Sequence, residues 1–251
     1  MPDYRGEVAR YGRIIRWILV ASLVTPLGWT RARADDSIQT STDVPVITIS
    51  KSISLTPSES NAIIAAATNA GAKAYPARYA TFPMTAYSRG ETVLMQQPKG
   101  WRIPMGTRIL PVDFVRATGG EAMAGVLASG QVLMGANSAR IRDAQVGDVV
   151  TLRDSTNAVR KFTVGMIVSN DYAAGDDLIM SMEDGFSMGV RKISRVNIIG
   201  FSKPTDVYTA LRKKGITVGK EFRLRTTWDL PNPDGTLGIA TAKLKIGRAH
   251  V

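Results

Sequence analysis

The feature that most constrains this chain lies near its middle, in residues 130–170, GQVLMGANSARIRDAQVGDVVTLRDSTNAVRKFTVGMIVSN. It reads as strand, short polar turn, a tight turn at Val146, Gly147 and Asp148, strand, polar loop, strand. Val149, Val150 and Leu152 lead into the loop Asp154, Ser155, Thr156 and Asn157, and Phe162, Val164, Met166 and Val168 follow it. Apolar residues at alternate positions on both sides of a polar loop predict a small antiparallel β unit with one buried face. Its polar loops, 137–143 and 154–160, are then the parts most exposed to a partner. The unit carries no catalytic chemistry of its own. The chain as a whole reads as α+β, a β-rich mixed domain with small antiparallel sheets or a barrel and a few short helices.

The N-terminus speaks to destination. Arg10, Arg13 and Arg16 precede the apolar run from Trp17 to Val24, Pro26 and Gly28 break it, and Ala32 and Ala34 put small residues where a signal peptidase reads. This order predicts a secretory signal over residues 1–34, cut after Ala34. The apolar core is shorter than the roughly 20 residues of a membrane span. An uncleaved anchor is the alternative, because Arg31 and Arg33 crowd the cut site. The signal or that anchor is the expected route to a membrane. With 32 basic against 21 acidic residues the net charge is +11, a non-specific field that attracts phosphates, teichoic-acid-like polymers or an anionic membrane. The expected partner is peptidoglycan or such an anionic wall polymer. No nucleic-acid partner is expected, since no dense basic stripe is interleaved with aromatics. The chain has no cysteine, which excludes thiol catalysis and thiolate metal sites and leaves stability to the core.

In order, residues 35–43 read as a polar linker and 44–55 as a strand. Thr56, Pro57, Ser58 and Glu59 form a capping box with proline at the first helical position, Ala-rich residues 62–70 continue the helix, and Gly71 stops it. Residues 75–119 read as short strands and turns punctuated by Pro76, Pro83, Pro98 and Pro104. A short helix follows over 120–128. Beyond the central unit come a strand at 178–180, a helical turn from Met182 to Gly189, a strand at 195–201, a helix at 204–214 and a last strand at 222–225. This gives an N-terminal α+β part, 44–129, and a β-rich part, 130–244. Residues 246–251, IGRAHV, read as a translated sequencing adapter, so 245–251 is taken as a non-native tail and the natural chain is expected to continue past Leu244.

One catalytic pattern matches on paper. Gly185, Phe186, Ser187, Met188 and Gly189 fit Gly-x-Ser-x-Gly, but that motif needs a strand-to-helix elbow and a histidine base. The single histidine, His250, sits in the tail, so the match is read as chance. One histidine also cannot furnish a hydrolytic zinc site. Asp171, Asp176 and Asp177 lack EF-hand spacing and read as a solvated turn. No catalytic residue, cofactor or metal is expected in this chain. The candidate partner surface comprises Tyr87 and Trp101, an aromatic wall shared with Tyr79 of the kind that binds sugars, together with Asn137, Arg140, Arg142, Asp154, Asn157 and Arg160.

Three stretches carry a resemblance. Residues 43–55, 104–111 (PMGTRILP) and 228–240 (WDLPNPDGTLGIA) resemble the N-terminal region of exported actinobacterial proteins classed with VanY-type zinc D-alanyl-D-alanine carboxypeptidases. The zinc ligands of that family, two histidines and an aspartate, lie in a C-terminal domain, and no position here matches them. The resemblance therefore implies a wall-associated, non-catalytic module ahead of a peptidase domain that this chain lacks. A second likeness concerns the central unit. Residues 132–136, 146–152 and 162–165 are similar to the periplasmic core domain of MacB/FtsX-type permeases, which implies an extracytoplasmic interaction or scaffold protein as the alternative.

Overall fold

The computed structural model describes residues 38–39, 44–98, 100–218 and 222–226. The expected signal, the stretch 228–240, the tail and His250 lie outside the described residues.

The first helix, α1 (Pro57–Asn69), begins as its sequence dictates. The Thr56 side chain accepts the Glu59 amide at 3.2 Å, and Glu59 accepts the Thr56 amide at 2.9 Å. Glu59 also pairs with Lys51 at 2.8 Å, and that hydrogen bond, with the Thr56 amide, holds its carboxyl below the usual range. Thr56→Ala is expected to lower stability by about 1 kcal/mol, read from denaturant unfolding; an unchanged midpoint would mean that water replaces the cap.

The next stretch departs from expectation. Instead of short strands and turns, residues 73–89 form one strand of 17 residues, β3 (Lys73–Arg89), and Val112–Gly119 is a helix, α2. Proline signalled breaks because it cannot donate to a ladder. Here Pro83 lies opposite Pro104, so two missing donors coincide on one rung. A hairpin turn at Gly90 and Glu91 leads to β4 (Thr92–Gln96), which pairs with the end of β3 through a bulge.

Strand β3 pairs with β5 (Ile103–Leu110), β5 with β9 (Leu178–Ser181), β9 with β6 (Val132–Gly135), β6 with β8 (Val159–Val168), β8 with β7 (Val149–Arg153), and β7 with β3. That circuit is a closed six-stranded barrel. Its interior is filled by side chains including Phe82, Met84, Met105, Ile109, Met134, Leu152, Val164 and Met180; a barrel this small is a packed core rather than a pore. Two pairings, β5 with β9 and β6 with β8, are parallel. The central stretch is thus not a purely antiparallel unit. Parallel neighbours need a crossover, and α4 (Ala136–Arg142) begins it, where a polar loop was expected over 137–143.

A second sheet is built on the first half of β3. It continues through β10 (Arg195–Ile199) to β2 (Ile47–Lys51) and β11 (Phe222–Thr226), all antiparallel. Helices α1 and α7 (Pro204–Lys213) cover it through Ile63, Ala66, Ala67, Val207 and Leu211, packed on Ile47, Ile49, Val196 and Ile198. Helix α3 (Glu121–Ala128) and the single turn α5 (Asn170–Ala173) join α2 in a third cluster with Phe114, Met123, Leu127 and Tyr172. The division at 129/130 does not separate strands, because β3 and β5 close the barrel while β10 and β11 return to β2. Within the expected linker, β1 (Ile38–Gln39) pairs in parallel with Ile167 and Val168. The observed architecture is the expected β-rich α+β mixture, in its barrel form.

Candidate interaction surface

The acidic turn at the barrel rim is a structural staple. Asp148 is 1% exposed and accepts the Tyr87 hydroxyl, Arg89 through Nε at 2.9 Å and Nη2 at 3.0 Å, and the Gln145 amide at 2.8 Å. Burial works to raise the Asp148 pKa, but the hydrogen bonds from Arg89, Tyr87 and Gln145 outweigh it and hold the carboxyl below its usual value. The same burial, with the carboxylate alongside, pushes the Tyr87 phenol up. Tyr87, expected on a ligand-facing wall, is therefore an interior residue at 0% exposure.

Two further expected surface residues turn inward. Asp154 is 8% exposed, and its carboxylate accepts the amides of Thr156 and Ala158 at 2.8 and 2.9 Å and the Arg160 Nε at 3.3 Å. It folds its own loop, with the Thr156 hydroxyl leading the effects that lower its pKa. Arg142 donates to the Ser138 hydroxyl at 2.7 Å and to the Met105 sulfur at 3.0 Å. An unsatisfied aspartate or arginine would be costly in such positions, which is why short polar residues in a polar loop can end up inside. Asn137, Arg140, Asn157 and Arg160 are exposed, as expected.

Residues with chemical potential are held in the same way. Asp177, expected in a solvated turn, accepts the Gly106 amide and the Ser138 hydroxyl, both at 2.9 Å, and Asp176 pairs with Arg108 at 3.0 Å. Ser187 is the last residue of α6 (Met182–Ser187) and donates to the Asp184 carbonyl at 2.7 Å. The strand-to-helix corner lies five residues earlier, so Ser187 is not raised on an elbow.

Exposed apolar side chains occur singly at Ile141, Val146 and Val159, and as neighbours on one strand elsewhere. Val93 and Leu94 on β4 are 55% and 45% exposed, while Met95 turns inward to the barrel core. Leu94 is the extra residue of the β3–β4 bulge, since Tyr87 faces Met95 and Ser88 faces Val93. Among the described residues β4 pairs with β3 alone, so its outer edge presents backbone donors and acceptors. The loop that follows β4 carries Trp101 at 72% exposure, and Tyr79 on β3 is 41% exposed. Trp101 was legible in the sequence as a candidate; the β4 edge was not, because TVLMQ reads equally well as a buried strand.

No protein-family model and no curated protein matches the chain. Among solved structures it is similar to the extracellular domain of the noncanonic ABC-type transporter YknZ from Gram-positive bacteria. The match covers 71% of this chain and 98% of that domain, at 9% identity and a TM-score of 0.43. No helix among the described residues is long and apolar enough to cross a membrane.

Proposed function

We propose that this chain is the non-catalytic module of an exported cell-envelope protein of the VanY-type carboxypeptidase-like class, and that it holds peptidoglycan through Trp101 and the β3–β4 hairpin. The observation that carries the reading is a contrast. Asp148, Asp154, Asp176, Asp177 and Ser187 are each bonded into the fold, whereas Trp101, Val93 and Leu94 stand in solvent. An exposed indole is an apolar plate with a polar edge, suited to stacking on a sugar ring. The net charge of +11 favours the same anionic wall.

The test is sedimentation of the purified chain with isolated peptidoglycan across a salt series. Retention at moderate salt, reduced about tenfold by Trp101→Ala with no change in unfolding midpoint, is the expected result. A wild-type chain that stays in the supernatant at moderate salt sinks the proposal. The class assignment is checked separately by sequencing the gene past codon 244, where a domain with two histidines and one aspartate is expected.

The second reading, a stand-alone extracytoplasmic scaffold, draws on one observation. The stretches similar to the permease periplasmic core domain fall on β6, β7 and β8, which are neighbours in the barrel. A stop codon soon after Leu244 would favour it.

A further inference from the structure

Among the described residues Arg78 is a strongly buried cation of the barrel wall. It lies on β3 opposite Ile109, at the end of the barrel covered by α6, and is 7% exposed. Its guanidinium stacks on Phe186 at 4.2 Å, donates through Nε to the Arg191 carbonyl at 3.2 Å and through Nη1 to the Met182 sulfur at 3.1 Å. A guanidinium has five N–H donors, so most of its capacity is free. Among the described residues no carboxylate stands within ion-pair reach of it. Its neighbour in charge is another cation: Arg191 lies 5.0 Å from the same phenyl ring.

Burying a charge without a counter-ion is costly, and a second like charge adds to the cost. Both effects, burial first and Arg191 second, lower the Arg78 pKa. The ring contact offsets part of this, on the order of 1–2 kcal/mol. The side-chain atoms sealed from solvent without a partner are Ser60 Oγ and Arg142 Nε among the described residues, so no Arg78 nitrogen is both sealed and unpartnered. Phe186, 38% exposed, offers an apolar face beside the guanidinium. Two guanidinium groups around one half-exposed ring match an oxygen anion attached to an apolar or ring-bearing body.

We propose that Arg78, Arg191 and Phe186 form a binding site for an oxyanion, the carboxylate or phosphate of a larger ligand. Arg78 supplies the desolvated charge, Arg191 the exposed second contact, and Phe186 the floor. The site draws on Arg78 of β3, on α6 and on the segment after it, and includes neither Trp101 nor β4, so it is tested apart from wall binding through Trp101.

The test uses the whole chain with inorganic phosphate and with acetate as probes, each against sodium chloride of equal ionic strength. Thermal unfolding is followed together with phosphorus NMR line broadening. Phosphate or acetate should raise the melting temperature beyond the chloride control. Arg191→Gln, at an exposed position, should weaken that effect at least tenfold. Arg212→Gln removes the same charge from an exposed position on α7 and should leave it unchanged. Equal weakening in both variants would reduce the effect to the general positive field and overturn the site. So would the absence of any anion-specific shift in the wild type. Phosphate acting without acetate would identify a phosphate ester as the ligand class, and acetate acting without phosphate a carboxylate.

Discussion

Asp148→Ala is expected to cost about 3 kcal/mol of folding stability, because it leaves three donors facing a hole. The Tyr87 hydroxyl is fully buried, the Gln145 amide is fixed in the turn, and Arg89, with 36% of its side chain exposed, can recover part of its hydration. Tyr87→Phe removes one donor and leaves the carboxylate its other partners, so its cost should be smaller, about 1 kcal/mol. Urea unfolding of the two variants gives both values, and an Asp148→Ala loss below that of Tyr87→Phe would show that the rim is not stapled by this carboxylate. The pH dependence has a fixed sign. The folded-state pKa of Asp148 is depressed, so its contribution is complete above the unfolded value near pH 4 and is lost as pH falls through the lower folded value. Asp148→Asn should therefore flatten the acid limb of the stability curve below about pH 4 while leaving the slope near neutral pH alone.

Gly185→Val should cost more than 2 kcal/mol and Ser187→Ala less than about 0.5, a reversal of what the Gly-x-Ser-x-Gly pattern would suggest. A Cβ on Gly185 would stand 2.4 Å from Ile109 Cγ2 and 2.9 Å from its Cδ1, inside the packed barrel end. Ile109 is fully buried and has no room to turn away. Gly189 serves a related need: it takes a φ of 86°, and a Cβ there would fall 1.8 Å from the Ser155 hydroxyl. The two glycines thus let α6 and the loop after it sit against β5 and the β7–β8 loop. Calorimetric melting of the two variants checks the ranking. A Ser187→Ala loss as large as that of Gly185→Val would mean that the hydroxyl, not the close approach, is what the segment requires.

Local signals were read well from the sequence and non-local ones were not. Thr56 and Glu59 announced α1 because a capping box is a four-residue device with its partners in hand. Alternation around Asp154 announced β7 and β8 for the same reason. What alternation cannot encode is the direction of the neighbour: Val132 to Gly135 lies parallel to β8 because of the crossover through α4, which a loop-like string of Asn137, Ser138 and Arg140 concealed. Pro76 and Pro83 misled because a proline's cost depends on what stands across the ladder, and Pro104 is 21 positions away in sequence at the same rung. The surface was half legible. Trp101 and Arg140 are exposed as their types suggest, but Tyr87, Asp154 and Arg142 found partners inside, and polarity alone does not reveal a buried partner.

The bond from Thr48 to Asn197, at 2.9 Å, spans 149 residues of chain. Strand β2 is made early and must wait for β10 and β11 before it has a neighbour, whereas β3 can pair at once with β4 and β5. Loop closure over such separations sets a slow pace, on the order of milliseconds to seconds rather than the microseconds of local helical folds. During synthesis β2 therefore remains unpaired while most of the described polypeptide follows. Neither sheet can close until strands from the second half of the chain have been made.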